Sequence, residues 1–195
     1  SENGDYGACV AGVDWVTEVL MDELKRQGLD DNTLVIFTSD NGSRLDDQGG
    51  SNGVLRGQKG TTWEGGQRVP CIMRWPGKIK PGEVRTELAS TIDLFPTLAG
   101  LTGASTPQDR VIDGEDISSL MFTDRLIDSP RSEFFYCDGN NLEAVRDGKW
   151  KLHVRKSDDV INELYDLEGD PGETSDVYDS HPDIVARLGA LLESC

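Results

Sequence analysis

The chain has 195 residues, of which 36 are Asp or Glu and 19 are Lys or Arg, so its net charge is −17. This acidic balance disfavours nucleic acid and anionic membrane surfaces as partners, because both are bound through clustered cations. No apolar run approaches the roughly 20 residues of a membrane-spanning helix. We therefore expect no nucleic-acid partner and no membrane partner. The chain starts with Ser-Glu-Asn-Gly and has no signal peptide, which does not decide the compartment.

The first predicted element is an amphipathic helix, because Val10, Val13 and Leu20 recur at helical spacing and Gly28 supplies a stop. The second is a strand over residues 33–38, an apolar run rich in β-branched residues that is typical of a strand buried on both faces. A helix, a tight turn and a buried strand together predict an α/β fold.

A long glycine-rich stretch, residues 39–68, follows the strand and is too long for an idle connection. After a second strand and a second apolar helix, the pattern changes near residue 106 to short strands with turns such as Asp147-Gly148. A last helix is predicted over residues 181–193. We therefore predict two domains, a partial α/β core over residues 1–105 and a small antiparallel sheet closed by a helix over residues 106–195.

The four cysteines are predicted to be free thiols. They show no CxxC spacing, which argues against a zinc site, and their even number alone is weak support for disulfides in a chain of this length. These residues are Cys9, Cys71, Cys137 and Cys195.

Asp40 and Asn41 directly follow the first predicted strand and precede Gly42. Ligand sites gather at the carboxyl ends of buried parallel strands, and carboxylate and amide oxygens suit Ca²⁺ or Mg²⁺. An Asx turn that only shapes the loop is the structural alternative. Asn41-Gly42-Ser43 also matches a glycosylation sequon, and a metal ligand cannot carry a glycan, so one of these interpretations is wrong.

Arg56, Lys59 and Arg68 lie in a second glycine-rich segment and are cations inside a strongly acidic chain. Glycines let the backbone approach a ligand closely, so this segment suits an oxyanion, with Lys59 and Arg56 as candidate substrate-binding residues. The alternative is a solvated surface loop.

Together, Asp40-Asn41-Gly42, the run Lys59-Gly-Thr-Thr-Trp-Glu-Gly-Gly66 and the following Arg68-Val-Pro70 resemble the formylglycine-dependent sulfatases, particularly their arylsulfatase A-like branch. The likeness continues through Arg74-Trp-Pro-Gly-Lys78 and along most of the chain, and it corresponds to the carboxy-terminal portion of that family.

The resemblance implies the carboxy-terminal half of an alkaline-phosphatase-like α/β core plus a small antiparallel domain. It implies that Asp40 and Asn41 ligate a divalent cation, usually Ca²⁺, and that Lys59 contacts the sulfate group. His153 matches a histidine that lies near the pocket in some relatives, with ordinary packing as its alternative role.

The departures from the family pattern limit what this chain can do. The nucleophile of the family is a formylglycine made from a Cys/Ser-x-Pro/Ala-x-Arg motif, and no segment of this chain fits that motif. The expected function is sulfate-ester hydrolysis in the complete protein, with this chain inactive alone. A non-catalytic binding or structural fragment and a phosphoesterase of the same superfamily are the alternatives.

The resemblance also sets expectations for partners and location. The substrate would be a sulfate-ester small molecule or a sulfated glycan, and the protein would be periplasmic or secreted. The apolar helix face and strand predict that a second copy, as a homodimer, or the missing amino-terminal half covers this part of the chain.

Overall fold

The computed structural model describes residues 4–45, 49–122 and 127–194. Its helices within these ranges are α1 (Gly4–Arg26), α2 (Glu64–Gln67), α3 (Leu94–Thr102), α4 (Ser118–Phe122) and α5 (Pro182–Glu193). Its strands are β1 (Val35–Thr38), β2 (Cys71–Arg74), β3 (Glu133–Asp138), β4 (Asn141–Asp147), β5 (Trp150–Lys156) and β6 (Asp159–Asp166).

The chain divides into two compact units. The larger takes its described residues from Ser1–Gln27, Phe37–Ile72 and Glu133–Cys195, and the smaller from Gly28–Ile36 and Met73–Ser132. This division differs from the boundary after residue 105 that the sequence suggested, which stays a prediction.

An antiparallel sheet in the order β3-β4-β5-β6 forms most of the larger unit. A tight turn containing Gly148, with φ of 55°, joins β4 to β5, as the Asp-Gly signal predicts. The face towards α5 is apolar, and its buried cluster is Val145, Leu152, Leu164 and Leu188. The predicted antiparallel sheet closed by a helix is therefore confirmed.

The apolar face of α1 is largely exposed to solvent. The helix ends near Gly28, whose φ of 67° fits the predicted stop, but it has no buried residue. Val10, Val13 and Leu20 are 54%, 53% and 60% exposed. Despite this apolar face, none of the described helices is long and apolar enough to cross a bilayer.

β1 differs from the prediction of a strand buried on both faces. Its first two residues are half-buried, whereas Phe37 and Thr38 are exposed. In the part of the chain that the structure describes, β1 has one neighbouring strand, β2. Among these residues, β1 is therefore less buried than its apolar sequence predicts.

Asp93 organises the smaller unit. It is fully buried and forms a capping box with Ser90 ahead of α3. Its carboxylate accepts hydrogen bonds from the Arg131 guanidinium, at 2.9 Å from Nε, and from the Glu115 N–H at 2.8 Å. Burial alone would raise the pKa of Asp93, but these bonds outweigh it and hold the pKa below its ordinary value.

Three of the four cysteines lie within the described residues. Cys9, Cys71 and Cys137 are free and exposed, which confirms the prediction for them. Cys195 lies outside the described residues.

Candidate functional site

The turn after β1 presents two oxygen donors. Asp40 is exposed and Asn41 is half-buried. Asn41 Nδ2 donates to the Gly42 carbonyl at 3.0 Å, and Ser39 Oγ donates to the Asn41 carbonyl at 2.9 Å. Oδ1 is the Asn41 side-chain atom that could bind a cation, because the amide nitrogen is a hydrogen-bond donor without an available lone pair. With the Asp40 carboxylate it provides the hard oxygen donors that Ca²⁺ and Mg²⁺ prefer.

The glycine-rich segment packs directly on this turn, backbone against backbone. The Gly42 N–H donates to the Gly66 carbonyl at 2.9 Å, and the Lys59 N–H donates to the Ser43 carbonyl at 3.2 Å. A Cβ on Gly42 would lie 1.7 Å from the carbonyl oxygen of Gly65, so a side chain cannot be accommodated there without movement. Because glycine has no side chain, the predicted metal-binding turn and the Lys59 segment can pack closely together at Gly42.

Asn52 cross-links the same two segments. Its Oδ1 accepts from the Ser43 N–H at 2.7 Å. Its Nδ2 donates to the carbonyls of Ser43 and Gly57, both at 3.0 Å. A side-chain amide can make these three bonds because it offers two N–H donors and an acceptor oxygen.

The cations of the segment have different environments. Lys59 and Arg68 are exposed. The Arg56 guanidinium stacks on the Trp63 ring at 3.7 Å and donates to Tyr165 Oη at 3.1 Å and to the Glu173 carbonyl at 3.2 Å. Arg56 therefore holds the segment to the protein, and its contact with substrate stays a prediction.

A buried ionic cluster, composed of Glu64, Lys151, His153 and Glu173, lies beneath the segment. Lys151 Nζ donates to Glu64 Oε1 at 2.8 Å, and it lies 3.0 Å from Glu173 Oε1. It also donates to the Thr62 carbonyl at 2.9 Å. Two carboxylates and a carbonyl thus surround a fully buried ammonium group, which compensates the cost of removing its charge from water.

His153 is neutral at neutral pH. Its side chain is fully buried, and burial together with the charges of Lys151 and Lys156 lowers its pKa to about 4, although the Glu173 hydrogen bond opposes this shift. Nε2 therefore carries the proton and donates to Glu173 Oε1 at 2.7 Å. Nδ1 is buried and has no hydrogen-bond partner among the described residues. A contact between His153 and substrate stays a prediction.

A second polar group holds the same segment from the edge of the sheet. Thr62 Oγ1 donates to Glu143 Oε2 at 2.6 Å, and Lys156 Nζ contacts both of these side chains. The other Glu143 oxygen accepts from the Ser157 N–H at 2.6 Å. Burial lowers the pKa of Lys156 to about 8. The segment thus meets buried charges on either side of Trp63.

The structure brings Asp40, Asn41 and Lys59 into adjacent segments, and it places Arg56 and His153 against the ionic cluster. Sequence reasoning missed the residues that hold this arrangement together. A signal was present in β5, where Lys151 and His153 alternate with apolar residues and so share one face of the strand. The sequence pattern did not single out Asn52, Glu64, Glu143, Lys151 and Glu173.

No complete metal site is formed within residues 4–45, 49–122 and 127–194, where no group of three or more His, Cys, Asp or Glu side chains could hold a metal ion. Asp40 and Asn41 fit a hard cation as part of a ligand set, since both offer oxygen atoms. The remaining ligands that a Ca²⁺ ion needs, out of roughly 6–8, would come from water or from other parts of the protein.

The depressed pKa of His153 predicts a stability that falls with acidification. In the unfolded chain the imidazole titrates near its ordinary pKa of about 6.5, whereas in the folded chain it titrates at about 4. Its contribution is therefore complete above pH 6.5 and is lost as the pH falls from 6.5 to 4, because protons bind the unfolded state more tightly.

The measurement is urea unfolding at several pH values, with the variant His153→Gln as reference, since Gln can donate to Glu173 and does not titrate. We expect the free energy of unfolding of the wild type, relative to the variant, to fall by about 3 kcal/mol between pH 7 and pH 4. Parallel curves for the two proteins would contradict the assignment of a neutral, buried His153.

Comparison with known proteins identifies matches along almost the whole chain. The Sulfatase family model matches residues 2–104, and the model for N-sulphoglucosamine sulphohydrolase, C-terminal, matches residues 58–194. Steryl-sulfatase of Mus musculus is 45% identical over 232 residues, covering 97% of this chain and 37% of that protein. N-acetylgalactosamine-6-sulfatase of Mus musculus is 43% identical over 157 residues, covering 79% of this chain and 30% of that protein.

The structure of PsFucS1 sulfatase from Pseudoalteromonas sp. superimposes with a TM-score of 0.85 at 28% identity, covering 94% of this chain and 40% of that one. This similarity confirms the predicted alkaline-phosphatase-like fold class. The chain spans about a third of the length of the two curated relatives. Within that span, the chain belongs to the sulfatase family.

Proposed function

We propose that the complete protein hydrolyses sulfate esters and that this chain supplies part of its metal and sulfate site. The observation that carries the proposal is the backbone contact of Gly42 with Gly65 and Gly66, which joins the Asp40-Asn41 turn to the Lys59 segment. Oxygen donors for a cation and a lysine for an anion thus occur in two segments that contact each other, in a chain whose net charge of −17 would otherwise repel sulfate.

Each residue has a distinct role in this proposal. Asp40 and Asn41 hold a divalent cation, Ca²⁺ or Mg²⁺, which when bound would polarise the sulfate ester. Lys59 places its ammonium group against the sulfate oxygens and stabilises the negative charge that develops on them. Its exposure in this chain leaves the ammonium group accessible to an anion.

The nucleophile is outside this set of residues. Sulfatases in general use a formylglycine, and no Cys or Ser of this chain begins a Cys/Ser-x-Pro/Ala-x-Arg motif. We infer that the nucleophile and the remaining metal ligands belong to a part of the protein other than these 195 residues.

The proposed substrate class is a sulfate-ester small molecule or a sulfated glycan. It rests on the relatives, which are named for steryl and for N-acetylgalactosamine-6 sulfates. A periplasmic or secreted location stays an expectation from the family resemblance.

Sulfate binding at Lys59 is the direct test of the site. We expect inorganic sulfate, titrated with Ca²⁺ present and followed by NMR, to shift amide signals of residues 56–66 with a dissociation constant of about a millimolar or weaker, since one exposed ammonium group gives little binding energy. Lys59→Ala should abolish the shifts, whereas Lys25→Ala, an exposed lysine of α1, should preserve them. A wild-type chain without shifts in this segment, or a Lys59→Ala variant that still shows them, would refute the proposed role.

The isolated chain should not turn over an aryl sulfate, because none of its residues can supply the formylglycine nucleophile. Purified protein would be incubated with Ca²⁺ and an aryl sulfate, and the Lys59→Ala variant would serve as the background. Turnover that follows the protein through purification and disappears in the variant would overturn this expectation.

The exposed face of α1 supports a proposal about assembly. Val10, Val13 and Leu20 are each more than half exposed, and burying apolar area stabilises by about 25 cal/mol per Å². We expect a second copy of the isolated chain to cover this face as a homodimer. Sedimentation velocity at micromolar concentration should therefore detect a dimer that the variant Val13→Asp disrupts. A monomeric wild type would show that this face stays exposed to solvent.

A further inference from the structure

Glu173 has a backbone conformation that is unusual for its residue type. Its φ is 52° although it is not a glycine, and it is 1% exposed. Such conformations are unfavourable for residues with a side chain and persist only where the surroundings enforce them. Here the Asp170 carboxylate enforces the turn, accepting from the N–H groups of Thr174 at 2.7 Å and Ser175 at 2.8 Å.

The strained residue contacts the glycine-rich segment at two points. Its carbonyl oxygen accepts from Arg56 Nη1 at 3.2 Å. Its carboxylate oxygen Oε2 accepts from the backbone N–H of Glu64 at 2.7 Å. Lys59 lies between these two points in the sequence, so one residue fixes both ends of the stretch that carries Lys59.

The other carboxylate oxygen ties Glu173 to the sheet. Oε1 lies 3.0 Å from Lys151 Nζ and 2.7 Å from His153 Nε2, and both side chains belong to β5. Burial would raise the pKa of Glu173, but the His153 hydrogen bond, the Lys151 charge and the Glu64 N–H hold it below its ordinary value. The carboxylate is therefore ionised and can accept all three bonds.

The neighbouring Gly172 adds a close backbone contact. A Cβ at this position would lie 2.7 Å from the carbonyl oxygen of Val54. Val54 precedes the Lys59 stretch, so the Glu173 turn packs on the segment as well as bonding to it.

We propose that Glu173 is the positioning residue of the sulfate-binding segment, setting the location of Lys59 by anchoring residues 56 and 64 to the rigid sheet. The consequence for sulfate rests on the proposed function of Lys59, whereas the anchoring itself does not. Glu173 acts on Lys59 indirectly, through the Arg56 side chain and the Glu64 backbone N–H.

Hydrogen exchange of the chain tests the anchor. In Glu173→Gln the side chain keeps its shape but replaces one acceptor by an N–H donor, which then faces either the Glu64 N–H or the two donors of β5. We expect amides of residues 56–66 to exchange at least roughly tenfold faster, with less than about a twofold change in β4 and β5.

Asp176→Asn is the matched control, because the Asp176 carboxylate accepts from the Leu164 and Tyr178 N–H groups and is not bonded to the segment in the structure. It should leave exchange of residues 56–66 unchanged. Unchanged exchange of this segment in Glu173→Gln, or equal acceleration throughout β4 and β5, would overturn the anchor. If Glu173→Gln does not fold, Gly172→Ala keeps the carboxylate but displaces the turn, and the same outcomes apply.

Titration with inorganic sulfate separates positioning from simple structural support. We expect Glu173→Gln to weaken sulfate binding at the intact Lys59 by roughly tenfold or more, while Asp176→Asn binds as the wild type does. Equal affinity in Glu173→Gln despite faster exchange would overturn the positioning role. A wild type that binds no sulfate would contradict the function proposed for Lys59 and this consequence of it, while the exchange data still decide whether Glu173 anchors the segment.

Discussion

The positive charge of Lys151 has to be balanced inside the protein, because its ammonium group has no exposure to water. An unpaired buried ammonium costs several kcal/mol, and its partners must supply hydrogen bonds as well as charge. Those partners come from two distant parts of the sequence, Glu64 in the glycine-rich segment and Glu173 in the turn after β6. The need to neutralise one lysine therefore brings the sheet, the segment and the late turn together.

A second constraint acts where the segment packs on the turn after β1, and there space rather than charge is limiting. Gly42 leaves room for the carbonyl of Gly65, so the turn with Asp40 and Asn41 approaches the segment more closely than side chains would allow. The ionic cluster and the glycine contact both hold the segment in which Lys59 is exposed.

The parts of this arrangement that depend on local pattern could be predicted from the sequence. Alternation of apolar residues and the Asp147-Gly148 turn indicated the antiparallel sheet. The family resemblance implied one site for Asp40, Asn41 and Lys59; the structure places their two segments in contact, and their joint role stays a prediction. The partners of Lys151 could not be predicted, because Glu64 and Glu173 each look like ordinary surface carboxylates. Glu173 lies in an acidic stretch of the sequence, yet it is only 1% exposed.

The actual burial of β1 also could not be predicted from the local sequence pattern. An apolar, β-branched run indicates that a strand prefers to be covered, but the cover is supplied by other segments. Among the described residues, β2 alone pairs with β1, and Phe37 is 36% exposed. The composition of β1 predicts that the strand is buried. How much of it is buried depends on the segments that pack against it.

The separation of the anchors along the chain has a consequence for biosynthesis. Glu64 is synthesised 87 residues before Lys151 and 109 residues before Glu173. At translation rates of about 5–20 residues per second, the segment waits roughly 5–20 s on the ribosome before its last anchor exists. A premature stop ahead of Glu173 would leave the whole Lys59 motif intact and unsupported. The turn that carries Glu173 would thus support a site to which it contributes no proposed ligand.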